Sequence, residues 1–298
     1  MRKVSAAIVL SVGLLLSACG SGGEDPIIIG GKPWTEQYIL PHILGQYIEG
    51  NSDYTVDYKE GLGEVSILTP ALEQGDIDLY VEYTGTGLKD VLKRESESGQ
   101  SAEEVLAIVR EGYEDELSAT WLDPLGFENG YTLAYANDSG FNAETASELA
   151  EISRNEDLVF GAPHSFYERQ GDGYDDLTAT FGFEFASTES FDPSIMYEAL
   201  SSGQVDVIPA FTTDSRIDMF ELKTTEDDLS FFPKYEAAPV VHLDTLEEYP
   251  ELEDLLNELA GQISEEEMLA MNARVDMDGD QPQDVARDFL VEKGLIEK

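Results

Sequence analysis

Apolar and polar positions follow two periods along the chain, and segments of the two kinds take turns. Ile27 to Gly30 is a short apolar run of strand type. Helical spacing follows, with Ile39, Leu40, Ile43, Leu44, Tyr47 and Ile48 on one face. Thr35 stands where a helix cap belongs, and Pro41 is read as lying early in this helix, where proline is least harmful. Tyr54 to Tyr58 predicts a second strand, Val65 to Gln74 a second helix and Ile77 to Tyr83 a third strand. This β-α-β-α-β run predicts a parallel sheet covered by helices. Residues 101–117 read as a long amphipathic helix. The pattern then restarts, with strands at Tyr131 to Ala136, Leu158 to Ala162 and Val205 to Ala210, and a helix at Ser194 to Leu200. From Thr245 to Lys298 the spacing is helical, with breaks at Gly261, Asp276 to Pro282 and Gly294. The economical reading is two α/β lobes. One covers 27–130 and is completed by 236–298, and the other covers 131–235.

The third strand runs into Tyr83-Thr84-Gly85-Thr86-Gly87. The two glycines predict a tight turn that frees the backbone to present Tyr83 and the hydroxyls. Tyr131, Phe211 and Tyr235 also stand at or next to strand ends. Ligands of open α/β sheets bind at such ends, and several ring faces together suit a quaternary ammonium group. Taken singly, each ring is as well explained as core.

Composition changes the picture in one respect. The 298 residues carry a formal net charge of −45, and the acids are spread over the whole length. Such a surface repels itself in dilute salt and is screened in molar salt. It reads either as an acidic protein of an ordinary cell or as a halophilic protein exposed to brine, with the even spread favouring brine. Nucleic acid and anionic membrane surfaces are poor partners for such a surface.

The first 18 residues combine Arg2 and Lys3 with an apolar run from Ala6 to Leu16, which predicts a secretory signal. Leu16-Ser17-Ala18-Cys19 resembles the bacterial lipoprotein processing box. Cys19, the single cysteine, is then the lipidated residue, and 19–26 is a tether. The expected product is exported and lipid-anchored to the cell membrane, facing the periplasm or cell exterior.

Catalytic chemistry finds little support. His42, His164 and His242 lack metal-ligand spacing, and no G-x-S-x-G or P-loop occurs. Gly61 to Ser66 lacks the third glycine of a dinucleotide fingerprint. Asp276 to Asp284 is acid-rich, but Gln281 stands where a calcium loop needs glycine. No metal, no cofactor and no enzyme activity are expected.

Ordered motifs carry a specific resemblance. They are IIIGGKPWTEQYIL (27–40), ALEQGDIDLYVEYTGTGL (71–88), LGFENGYTLAY (125–135), GQVDVIPAFTTDSRI (203–217), FFPKYEAAPVV (231–241) and VDMDGDQPQDVARDFL (275–290). Together they resemble the substrate-binding proteins of osmoprotectant ABC transporters, the binders of glycine betaine, choline and carnitine. The resemblance implies a type II periplasmic-binding-protein fold, in which two α/β lobes joined by crossing hinge strands close over a ligand. It implies a monomer that delivers a small quaternary-ammonium ligand to permease and ATPase subunits. It also implies an aromatic cage at Tyr83, Tyr131, Phe211 and Tyr235. The carboxylate partners fall on Lys32, Thr86 and Arg169, with Gln37 as a further polar contributor. Phe211 replaces the usual tyrosine, and the arginine motif, Arg169-Gln170-Gly171-Asp172-Gly173, is one residue longer than usual. Threonine at 86 leans toward betaine over choline. Choline, carnitine and other small solutes remain as alternatives, with an enzyme on a similar scaffold the remotest.

Overall fold

The structure is a computed structural model that describes residues 25–94, 100–169 and 171–297. The signal and Cys19 lie outside the described residues, as does most of the tether. Ten strands are described: β1 (Ile27–Gly30), β2 (Val56–Lys59), β3 (Leu79–Tyr83), β4 (Ala119–Trp121), β5 (Tyr131–Ala136), β6 (Val159–Pro163), β7 (Ser187–Phe191), β8 (Ile208–Phe211), β9 (Leu222–Thr224) and β10 (Ala237–His242). Five of them form one sheet in the order β2-β1-β3-β10-β4. Strand β1 runs parallel to both β2 and β3, as the β-α-β-α-β pattern requires. Strand β10 returns antiparallel between β3 and β4.

Both faces of this sheet are covered, so its central strands β3 and β10 are buried throughout and mostly apolar, with Glu82 the buried charge among them. On one face the helix Thr35–Asn51 buries Ile39, Ile43 and Tyr47 against the C-terminal helix Pro282–Glu292, which contributes Phe289 and Leu290. On the other face Leu68, Leu72, Val109, Tyr113 and Trp121 form a separate core. The helix Ala102–Leu117 begins with a capping box, in which the Ser101 hydroxyl accepts from the Glu104 amide and Glu104 reaches back.

The second sheet is antiparallel in the order β8-β5-β9. A parallel pair, β6 with β7, joins it through a bridge between Phe160 and Val207, where the Gly161 amide donates to the Val207 carbonyl at 2.9 Å. Its core includes Leu133, Leu149, Phe160, Leu177 and Phe181. The chain crosses between the sheets twice, and the two crossings touch. Glu128 bridges Glu236 in antiparallel fashion, and the Asn129 amide donates to the Tyr235 carbonyl at 3.1 Å.

Several local expectations change. Thr35 is the first helical residue and no cap, since Trp34 occupies that position without a side-chain bond. Pro41 is therefore the seventh residue of the helix, past its first turn. Its missing N–H leaves the Gln37 carbonyl without the usual helical bond, and that carbonyl and the proline ring abut Gly31. The strand expected from Val205 begins at Ile208, because 206–207 bond to Val159 instead. Strands β4, β7 and β9 carry too little alternation to be read from the sequence; β7 is exposed along nearly its whole length.

The turn after Tyr83 is not a turn. Residues Thr84–Thr86 are helical, and the helix widens over Gly87–Val91, where the Leu92 amide donates to the Gly87 carbonyl at 3.0 Å. Gly87 has an ordinary helical φ of −55°. The glycines are required for space. A Cβ on Gly85 would lie 2.5 Å from the Tyr235 ring, and one on Gly87 would lie 2.4 Å from the Trp121 ring.

Candidate functional site

A cleft of about 770 Å³ opens between the two sheets. Lys32, Tyr83, Thr86, Tyr131, Arg169, Phe211 and Tyr235 all line it. Of the residues singled out from the sequence, only Gln37 stands behind the wall. It is fully buried and donates to the Val81 carbonyl and the Tyr83 hydroxyl, each at 3.1 Å. Its place is behind a ring.

Strand register brings the rings together. Tyr131 at the start of β5 pairs with Phe211 at the end of β8, and their ring centroids are 4.7 Å apart. Phe166 and Phe232 back Tyr131 at 5.8 and 5.6 Å. On the other side Tyr83 pairs with Ala237 across β3 and β10. The Thr84 hydroxyl donates to the Lys234 carbonyl at 3.2 Å and accepts from the Glu236 amide at 3.1 Å. That double bond holds Tyr235 against Gly85.

The first-sheet wall is closely bonded. Lys32 is buried and forms an ion pair with Glu82, which is itself fully buried. Burial pushes the Glu82 carboxyl above its ordinary range, and Lys32 offsets part of that push. The Lys32 ammonium also lies 5.1 Å from the Tyr83 ring centroid and 5.3 Å from that of Trp34. The Tyr83 hydroxyl donates to Glu36. Burial first, and then the neighbouring Glu36, hold the Tyr83 phenol well above its usual range, so it stays a donor.

The second-sheet wall is more open. Arg169 lies 5.1 Å from the Tyr131 ring and 3.7 Å from the Asp172 carboxylate, with its side chain 37% exposed. Lys89, from the helix after Tyr83, reaches the same carboxylate at 3.2 Å. Phe211 is 42% exposed. At the other end Asp276 accepts from Thr35 at 2.5 Å and from Ser215 at 2.6 Å, which joins the two sides of the cleft. In the acid-rich stretch that begins at Asp276, Asp280 pairs with Arg274, which also reaches Asp288 beyond it. Among the described residues no group of three or more His, Cys, Asp or Glu side chains is placed to hold a metal.

Other lining residues carry no signal in the sequence, among them Trp34, Glu36, Asn129, Arg216 and Asn272. All but Asn272 lie within the quoted motifs. Glu36 carries no signal among 62 acids, the amides of Asn129 and Asn272 announce no chemistry alone, and Trp34 and Arg216 stand away from the predicted strand ends. Asn272 is buried and donates to Glu36 at 3.2 Å and to the Thr213 carbonyl at 2.9 Å.

The family profile described as the substrate-binding domain of the ABC-type glycine betaine transport system matches residues 25–292. The chain belongs to this family. The carnitine transport binding protein OpuCC of Listeria monocytogenes is 33% identical over 97% of this chain and 96% of its own length. A glycine-betaine-binding protein of Pseudomonas aeruginosa is 30% identical over 95% of this chain and 92% of its own. A crystal structure described as a glycine betaine/carnitine/choline ABC transporter superposes with a TM-score of 0.84 at 30% identity, covering 92% of this chain and 99% of that one. The architecture is the type II periplasmic-binding-protein kind expected from the motifs, and the protein is a substrate-binding component of an ABC importer. Its family and relatives are transport-binding proteins. Among the described residues no helix is long and apolar enough to cross a membrane.

Proposed function

We propose that this protein captures glycine betaine, or a related quaternary-ammonium solute, and hands it to an ABC permease without chemical change. The carrying observation is the convergence of Tyr83, Tyr131, Phe211 and Tyr235 on one cleft that also holds Arg169 and Thr86. Ring faces attract an N-methylated cation, each by roughly 0.5–2 kcal/mol. Arg169 and the Thr86 hydroxyl serve the ligand's carboxylate. Lys32 contributes to that end less directly, because Glu82 already holds its ammonium.

Ligand binding draws together two lobes, 27–130 with 236–298 and 131–235, about the crossings at 128–129 and 235–236. The protein works as a monomer outside the cytoplasm, tethered through lipid on Cys19, and its acidic surface suits brine.

Calorimetric titration at molar salt with betaine, carnitine, choline, ectoine and an amino acid tests the reading. Betaine or carnitine is expected to bind most tightly, and choline more weakly because Thr86 offers it no counter-charge. Binding of the amino acid alone would overturn the ligand class. Mass spectrometry of recovered ligand checks for turnover, and any product would revive an enzyme reading.

A further inference from the structure

Glu36 is a buried carboxylate that faces the cleft, whereas Glu82 lies behind its wall. Glu36 itself is 2% exposed and lines the cleft. Three donors serve it. Tyr83 donates through its hydroxyl, Asn129 at 2.9 Å and Asn272 at 3.2 Å. All three are neutral and all three donate, which is the arrangement an ionised carboxylate needs, since it can only accept. Gln37 donates to the Tyr83 hydroxyl in turn, so the Tyr83 proton is directed at Glu36.

No cation matches this charge. The nearby Lys32 pairs with Glu82, and among the described residues no lysine, arginine or histidine forms an ion pair with Glu36. The cluster of Lys32, Glu82 and Glu36 therefore carries one uncompensated negative charge. Of the carboxylates that line the cleft, Glu36 is the one that is buried, while Arg216 pairs with Asp214. Arg169 stands on the second-sheet wall, where it and Lys89 share Asp172, so a negative charge on one wall and a positive one on the other are left for a ligand. A zwitterion with a cationic head and an anionic tail fits such a site in one orientation only. A buried charge without a partner is costly, and a ligand's onium group would supply that partner.

We propose that Glu36 is a specificity determinant: it is the fixed negative pole that draws the ligand's onium group to the first-sheet wall and rejects uncharged groups of the same shape. This rests on the quaternary-ammonium reading above. It assigns the selection for positive charge to a carboxylate in addition to the rings.

The probes are glycine betaine and 3,3-dimethylbutanoate, which have the same shape and differ by carbon in place of the charged nitrogen. The wild-type protein is expected to prefer betaine by ~100-fold or more. Glu36→Gln, which keeps the shape, is expected to lose betaine affinity by ~30-fold or more and to narrow that preference. Glu36→Asp, which keeps the charge, is expected to stay within ~5-fold of the parent. A purely structural acceptor predicts that Glu36→Gln weakens both probes in proportion and leaves the preference between them unchanged, and that result overturns the proposal. So does wild-type protein that binds both probes equally, or a Glu36→Gln protein that fails to melt cooperatively, because the carboxylate is then a folding element. Wild-type protein that binds neither probe, nor carnitine, nor choline refutes the ligand class itself, which is a separate failure.

Discussion

The two walls of the cleft handle their cations differently. On the first-sheet wall Lys32 is buried, and so is the carboxylate that neutralises it. On the second-sheet wall Arg169 is 37% exposed, and its nearest acid, Asp172, is 3.7 Å away and shared with Lys89. A buried and satisfied pair holds its shape whether or not a ligand is present. A half-open guanidinium can still take a planar anion in its fork. The lysine is thus part of the scaffold beside Tyr83, and the arginine keeps an open side on the cleft.

Substitution at each cation should separate these roles. Lys32→Ala leaves Glu82 buried without its partner, and the expected cost is about 3–5 kcal/mol of stability, read by thermal melting. A parent-like melt with lost betaine binding would make Lys32 a ligand contact after all. Arg169→Ala should leave the melt nearly unchanged, weaken betaine by ~30-fold and barely affect choline, which has no carboxylate. Equal losses for both ligands would remove Arg169 from the carboxylate end. Gly85→Ala forces the Tyr235 ring aside, since the new Cβ would sit 2.5 Å from it. Betaine affinity should fall about tenfold, with a melt only a few degrees lower.

The smallest effect lies at the crossings. Burial, and then the facing Glu128, raise the carboxyls of Glu236 and Glu265 above the ordinary 4.5. A raised carboxyl binds its proton more tightly in the folded state than in the unfolded one. Stability from this pair is therefore greatest at low pH and is lost as pH rises from 4.5 through the raised values. Glu236→Gln should flatten that slope and add less than ~1 kcal/mol at neutral pH. An unchanged slope of melting temperature against pH would show that the facing acids do not repel.

Much of this was legible before any coordinates. The parallel β1-β2-β3 unit follows from period and spacing, and the rings that line the cleft stand at or next to strand ends because hydrophobic runs stop there. What was not legible depends on contacts between distant segments. The sequence places Tyr235 far from Gly85, and only the pairing of β10 with β3 shows that the glycine clears room for the ring. Nothing local to β3 reveals that Lys32, some fifty positions earlier, pairs with Glu82. Strand β7 escaped because its residues are exposed and carry no alternation. Glu36 escaped because an acid is unremarked in so acidic a chain until its burial is known.

The strap made by Asp276 has neutral hydroxyls at both ends, Thr35 and Ser215. The tie between Lys89 and Asp172 joins two full charges. Raising salt from decimolar to molar shrinks the electrostatic reach from about 10 to about 3 Å, which loosens the charged tie and leaves the hydroxyl strap as it was. In concentrated salt the jaws should then gape first at the Lys89 corner, pivoting about the Asp276 corner like a door on its jamb.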